Sequence, residues 1–168
     1  MTSPLTTQPA IEDRAERPYV GVTGIVTLET IPAIEQRIPD LLAWLAADGR
    51  EPAGAPFIRY HVIDMYRQLE IEAGVPVAAP VHATGEFHSG VIPAGRYVTY
   101  THTGHPDEHI PVIKAIFDWA AAQDLAFDTK PTPDGDWWGG RLTFMPDGPY
   151  GEPDAASLEA EFAFRLAN

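Results

Sequence analysis

The chain contains no cysteine, which removes disulfide frameworks, thiol catalysis and thiolate metal sites together. It is also short of positive charge. Eleven lysines and arginines face 24 aspartates and glutamates, for a formal net charge of −13. A surface this acidic repels phosphate backbones, and no basic helix is present to read a groove, so direct nucleic-acid binding is not expected. No apolar run approaches the ~18 to 20 residues of a membrane span. The opening "MTSPLTTQPAIEDRAERP" lacks the basic start and apolar core of a signal peptide. These absences describe a cytoplasmic protein without membrane contact. What is present is a length of 168 residues with aromatic side chains spread throughout, enough for one well-cored domain.

Residues 1–17, rich in proline, threonine and charge, read as a flexible tail, and residues 18–168 as the domain. "YVGVTGIVTLETI" is β-branched and partly alternating, the pattern of a strand. From Pro32 the spacing becomes helical: Ile34, Ile38, Leu41, Leu42 and Leu45 line one stripe with Trp44 at its flank. Pro39 interrupts it and predicts a kink or a separate first turn. "DGREPAGAP" is a loop, "FIRYHVIDMY" and "QLEIEAGVPV" are two strands, "HATGEFHSGVI" a further strand, and "PAG" a turn. The order then starts again. "RYVTYTHT" is a strand, a helix follows with Ile110, Ile113, Phe117 and Ala120 at core spacing, "PTPDGD" is a loop, "WWGGRLTFM" a strand, "PDGPYGEPD" a loop and "SLEAEFAFRL" the last strand. "RIPDLL" is echoed by "HIPVIK" and "LEIE" by "LEAE", and each helix ends near a tryptophan, Trp44 or Trp119. The repetition predicts an internal duplication, with halves at about 18–92 and 93–168. The fold class is α+β: an antiparallel sheet of about eight strands with two main helices.

The stretch "YTHTGHPDEH" places His102, His105 and His109 close together. Pro106 suits the first helical position, and Asp107 and Glu108 suit the positive end of the helix dipole, so His105 stands at the cap position or just outside it. His105 and His109 therefore do not form a stacked i, i+4 metal pair, and the segment reads as a strand-to-helix junction with no metal. His102, ending a strand, is a polar contact available to a cavity.

Candidate binding residues follow from alternation. Adjacent Trp137 and Trp138 face opposite sides of a strand, so one lines a cleft or both pack, and the two glycines after them leave room for a flat ligand. Tyr60 shares a face with Ile58 and Val62, and Phe144 lies in "WWGGRLTFM", the strand of the two tryptophans. Glu72 and Glu161 stand near the apolar ends of their strands, and at least one is expected to be buried. A carboxylate among aromatic rings either takes up a proton or attracts a cation. Arg59 and Arg141 are the arginines placed to neutralise these acids.

"PFIRYHVID", "LEIEAGVPV", "GVIPAGRYVTYTHTGH" and "AIFDWAAAQDL" occur in an order that resembles GyrI-like small-molecule-binding domains, the effector-binding domains of multidrug-responsive MerR- and AraC-type regulators. The likeness runs over about residues 19–166. It implies two strand-helix-strand-strand halves about a pseudo-twofold axis. It also implies an aromatic cleft with one or more buried glutamates, where lipophilic cations are accepted. Two departures stand out. Gly104-His105-Pro106 replaces the family's Gly-Pro-Tyr, and Gly139-Gly140-Arg141 stands where drug sensors carry a glutamate beside an aromatic. No helix-turn-helix precedes the domain, so a freestanding member is expected. The leading reading is a binding protein for hydrophobic, planar, often cationic molecules, without cofactor, using Tyr60, Glu72, His102, Trp137, Trp138, Phe144 and Glu161. The alternative implied by the resemblance is a hydrolase of strained, cyclopropane-type toxins, with Glu72 or Glu161 and Tyr60 or His102 activating water. A third is an acidic interaction module akin to the gyrase-inhibitor relatives.

Overall fold

Proline and glycine set where the helices begin and end. In the computed structural model, which describes residues 4–146 and 158–168, α1 (Ile31–Glu35) and α2 (Ile38–Ala47) are separated at Gln36 and Arg37. Pro39 lacks the N–H that would continue the ladder back to α1, so the helix is divided there, as the sequence predicts. α2 buries Ile38, Leu41 and Leu45 completely. It ends in a Schellman motif: Gly49 takes φ +70° and donates to Ala46 O at 3.0 Å, while Arg50 donates to Leu45 O at 2.9 Å. The helix of the second half, α3 (His109–Ala122), ends in the same way, with Asp124 at φ 57° donating to Ala121 O and Leu125 to Ala120 O. No helix among the described residues is long and apolar enough to cross a membrane.

The strands are β1 (Ala10–Arg14), β2 (Arg17–Val26), β3 (Phe57–Ile63), β4 (Leu69–Pro76), β5 (His88–Ile92), β6 (Gly95–Gly104), β7 (Thr129–Thr132), β8 (Gly135–Trp138), β9 (Arg141–Phe144) and β10 (Leu158–Arg165). They form one antiparallel sheet in the order β1-β6-β10-β9-β3-β4-β2-β5, with the β7–β8 hairpin attached through β8 to β3. The first half contributes β3-β4-β2 and the second β9-β10-β6. The order therefore reads alike from either end, about a seam where Phe57 pairs with Phe144, Ile58 with Thr143 and Arg59 with Leu142. The duplicated α+β arrangement is present as a topology. The helices cover one face, over Val20, Ile58, Ile71, Ala73, Val98, Phe162 and Phe164. On the other face Tyr19, Phe57, Ile92, Tyr97, Leu142, Phe144 and Ala163 form a second, smaller cluster.

Five elements differ from the sequence expectation. Ala10–Arg14, read as tail, is an edge strand on β6; its side chains are largely exposed, so the backbone ladder holds it and no apolar pattern announces it. Of "HATGEFHSGVI" only His88–Ile92 pairs. "WWGGRLTFM" is two strands, broken at Gly139 and Gly140, and "PTPDGD" spans the β7–β8 hairpin turn. In α3 the core stripe is Val112, Ile116 and Ala120, while Ile110 is 62% exposed. The loop read at "PDGPYGEPD" lies, after Pro146, outside the described residues.

Candidate functional site

The two halves leave a space between α1 and α3, above the seam of β3 and β9. Its volume is about 310 Å³. One wall is Ile31, Pro32 and Glu35 of α1, with Leu28 just before it; the other is Ile110 and Ile113 of α3 with His109 at its start. That places on the cleft two of the isoleucines the sequence assigned to the core. Alternation supplies the floor. Ile58 and Tyr60 of β3 point to the helix side, as do Arg141 and Thr143 of β9, and Ala160 and Phe162 of β10 complete it. Asp107, Glu159, Met65 and Met145 also line the cleft.

The polar groups of the floor are strongly perturbed. Burial and the nearby charge of Glu35 push the Tyr60 hydroxyl up to about 12, opposed by Arg141 and by a hydrogen bond with Thr143. Arg141 stacks among four rings. Its guanidinium carbon lies 4.8 Å from the centre of Trp138, 5.4 Å from Tyr60, and 5.5 Å from Phe117 and from Phe164. Burial lowers this arginine to about 10, with the charges of Tyr60 and Asp136 acting the other way. Among the described residues it forms no ion pair. His109 packs edge-on against Phe162 at 5.1 Å, and burial, with His102 nearby, lowers it to about 4. Its imidazole is thus neutral at pH 7.

Of the seven residues singled out in the sequence, Tyr60 lines this cleft; the rest lie elsewhere. Glu72 is 1% exposed, but on the opposite face of the sheet. Its carboxylate accepts from the Tyr19 hydroxyl at 2.6 Å, meets His61 Nε2 at 2.7 Å, and is also hydrogen bonded by His88. These contacts hold its pKa below the ordinary value although burial alone would raise it. Glu161 is partly exposed and pairs with Arg14 at 3.1 Å. Phe144 packs against Phe57 in the second cluster, ring centres 5.5 Å apart. Trp137 faces away, under the Lys130 ammonium at 4.9 Å, whereas Trp138 stacks on Phe117 behind Arg141. His102 approaches Glu108 at 3.2 Å, outside the cleft lining. His105 caps the turn leading into α3, its Nδ1 accepting from Asp107 N at 3.0 Å, so the histidine segment is the strand-to-helix junction it was read as.

The arginines do not neutralise the glutamates. Arg59 donates to the Tyr19 hydroxyl and to the carbonyls of Val91 and Gly139, and Arg141 remains in its ring stack. Nor do the paired glycines make room for a ligand: a side chain at Gly139 would strike Asp128, and one at Gly140 would lie 3.0 Å from the Tyr97 hydroxyl. Glu35 and Thr143 are the polar groups that sequence reasoning missed. Glu35 stands one helical turn after Ile31, and Thr143 two residues after Arg141, so each shares its neighbour's side.

Two like halves around an apolar cleft with a few convergent polar groups make a ligand-binding architecture. The sequence match agrees: over residues 7–134 the chain fits the GyrI-like small molecule binding domain, and it belongs to that family. Among solved structures, the C-terminal domain of EcmrR is similar with a TM-score of 0.67 and 20% identity, over 98% of this chain and 99% of that one. EcmrR in its DNA complex gives 0.71 and 19%, and there the match covers 95% of this chain but 57% of that one. SAV2435 bound to tetraphenylphosphonium gives 0.63 and 8% identity, over 96% and 95% of the two chains. At these identities the likeness is one of fold. No curated protein sequence matches the chain significantly.

Proposed function

We propose that the cleft between α1 and α3 takes up hydrophobic, planar small molecules, cations among them, and that the protein acts as a receptor or sequestering protein in the cytoplasm. The observation that carries this reading is the charge layout of an otherwise apolar cleft. Glu35, Asp107 and Glu159 line it, while the charge of Arg141 is engaged by ring faces and not by these acids. A cation entering the cleft meets carboxylates in a partly dry setting, where attraction is several-fold stronger than in water, and aromatic faces that add roughly 0.5 to 2 kcal/mol. The phosphonium bound by SAV2435, tetrahedral and not planar, is likewise a lipophilic cation held by a protein of this fold.

The test is calorimetric titration of matched aromatic probes, one with a quaternary ammonium and one with a neutral tert-butyl group in its place. Tighter binding of the cation by about tenfold, reduced to near parity by Glu35→Gln, is expected from one ion–carboxylate contact. Equal affinity of the two probes in the unmodified protein would sink the cation reading.

A hydrolytic reading is favoured by one observation, the charge of Glu35 acting on the Tyr60 hydroxyl inside the cleft. A carboxylate and a phenol thus line one cleft, and a structure of this fold from Listeria innocua, 10% identical, is described as a hydrolase. Mass spectrometry separates the two: hydrolysis returns the ligand with one water added, and binding returns it unchanged.

A further inference from the structure

Arginine carries five N–H donors, accepts nothing, and keeps its charge in proteins. A guanidinium therefore needs acceptors, from protein, ligand or water; Arg165, and Arg59 apart from its Nε, find them within the protein. Arg59 donates to a hydroxyl and two carbonyls, and Arg165 donates to Ala94 O at 2.9 Å and to Asp128 at 2.8 Å. Arg141 is the exception that lines the cleft. It has ring contacts at 4.8 to 5.5 Å and, among the described residues, no ion pair. Aromatic faces attract the flat of a guanidinium, but its N–H bonds lie in the plane and need oxygen atoms at the edge. The rings thus hold the fork half-buried at the cleft without supplying an acceptor.

We propose that the physiological ligand carries a carboxylate, or a group with the same pair of acceptor oxygens, which docks on Arg141 at the floor of the cleft. This rests on the cleft being the ligand site, as proposed above, and it narrows the ligand class. Glu35 on α1 supplies an acidic wall and Arg141 on β9 a donor fork, so the cleft has two poles. The molecule that suits both is bipolar, with an apolar or cationic body and an acid at one end. A simple lipophilic cation uses the acidic wall alone and leaves the guanidinium facing the open cleft. Because the rings already fix the fork, little side-chain freedom is lost when a carboxylate binds.

The experiment titrates the full chain by calorimetry with two xanthene dyes. Rosamine is a planar cation with a bare phenyl ring, and the corresponding rhodamine adds one carboxyl group to that ring. General attraction to an acidic protein favours rosamine, so the expected order is diagnostic: rhodamine binds at least about tenfold more tightly, the worth of one charge-assisted contact. In Arg141→Met the advantage disappears, and in Arg141→Lys, which keeps the charge but not the fork, most of it is lost. Methionine has similar length and brings no charge into the ring stack, so the melting temperature should hold or rise. If the two dyes bind equally in the unmodified protein, or if the rhodamine advantage survives Arg141→Met, the proposal is overturned while cation binding stands. If neither dye binds, the cleft reading falls and takes this one with it.

Discussion

Replacing Glu72 by glutamine separates a structural acid from a binding one. The carboxylate accepts from Tyr19, His61 and His88 and is 1% exposed. Hydrogen bonds to a buried charged acceptor are worth about 1.5 to 3 kcal/mol each. Glutamine keeps one acceptor oxygen and sets an NH₂ against groups that now donate. A tyrosine hydroxyl and a neutral imidazole can reverse roles, which recovers part of the loss. The net destabilisation is therefore about 2 to 4 kcal/mol, below the sum of three bonds. For a domain of this size that is a fall in Tm of roughly 5 to 15 °C. The effect has a pH signature. Because its contacts hold the folded-state pKa of Glu72 below the ordinary value of 4.5, its stabilisation is complete above that value and is lost as pH falls through the lowered one. The two proteins should accordingly converge in acid, where protonated glutamate resembles glutamine. Scanning calorimetry from pH 7 to pH 3 measures this, and titration with a cleft probe at pH 7 should give affinities within about twofold. Unchanged Tm together with lost binding would refute the placement of Glu72 behind the sheet.

Three further outcomes are expected. His109, lowered to about 4 against an ordinary 6.5, resists protonation in the folded state, so stability falls as pH drops from about 6.5 towards 4; His109→Leu should flatten that part of the Tm–pH curve. Glu161→Gln removes a partly exposed partner of Arg14 and should change stability by less than about 1 kcal/mol by urea titration, with no change in probe affinity. Asp124→Gly relieves a left-handed residue at the end of α3 and should raise stability by about 0.5 to 1 kcal/mol, measured the same way.

The sequence carries the fold more fully than the site. α2 was readable because Ile38, Leu41 and Leu45 repeat at helical spacing and Pro39 marks the break, and β3, β4, β6 and β10 because their residues alternate. β1 was not, since a ladder of backbone hydrogen bonds at a sheet edge demands no particular side chains. For the site, alternation divides residues between two faces without saying which face the helices cover. Tyr60, read in company with Ile58, does line the cleft. Glu72 was placed in the cleft, although it stands opposite Ile71 and Ala73, the residues apolar enough to lie under the helices. Burial of that acid was legible; the side was not. Glu35 escaped because α1, five residues long, is too short to show a periodic face. Arg141 was seen as a neutralising partner because, Trp138 apart, its aromatic surroundings come from β3, α3 and β10, segments distant from it in the chain.

The seam between β3 and β9 is short, and the cleft lies directly over it with one wall from each half. A guest lodged there is a strut between two arms that share a narrow spine. The two outer strands, β1 and β5, stand farthest from that seam in strand order, so any change in the angle between the arms on occupancy would be largest there.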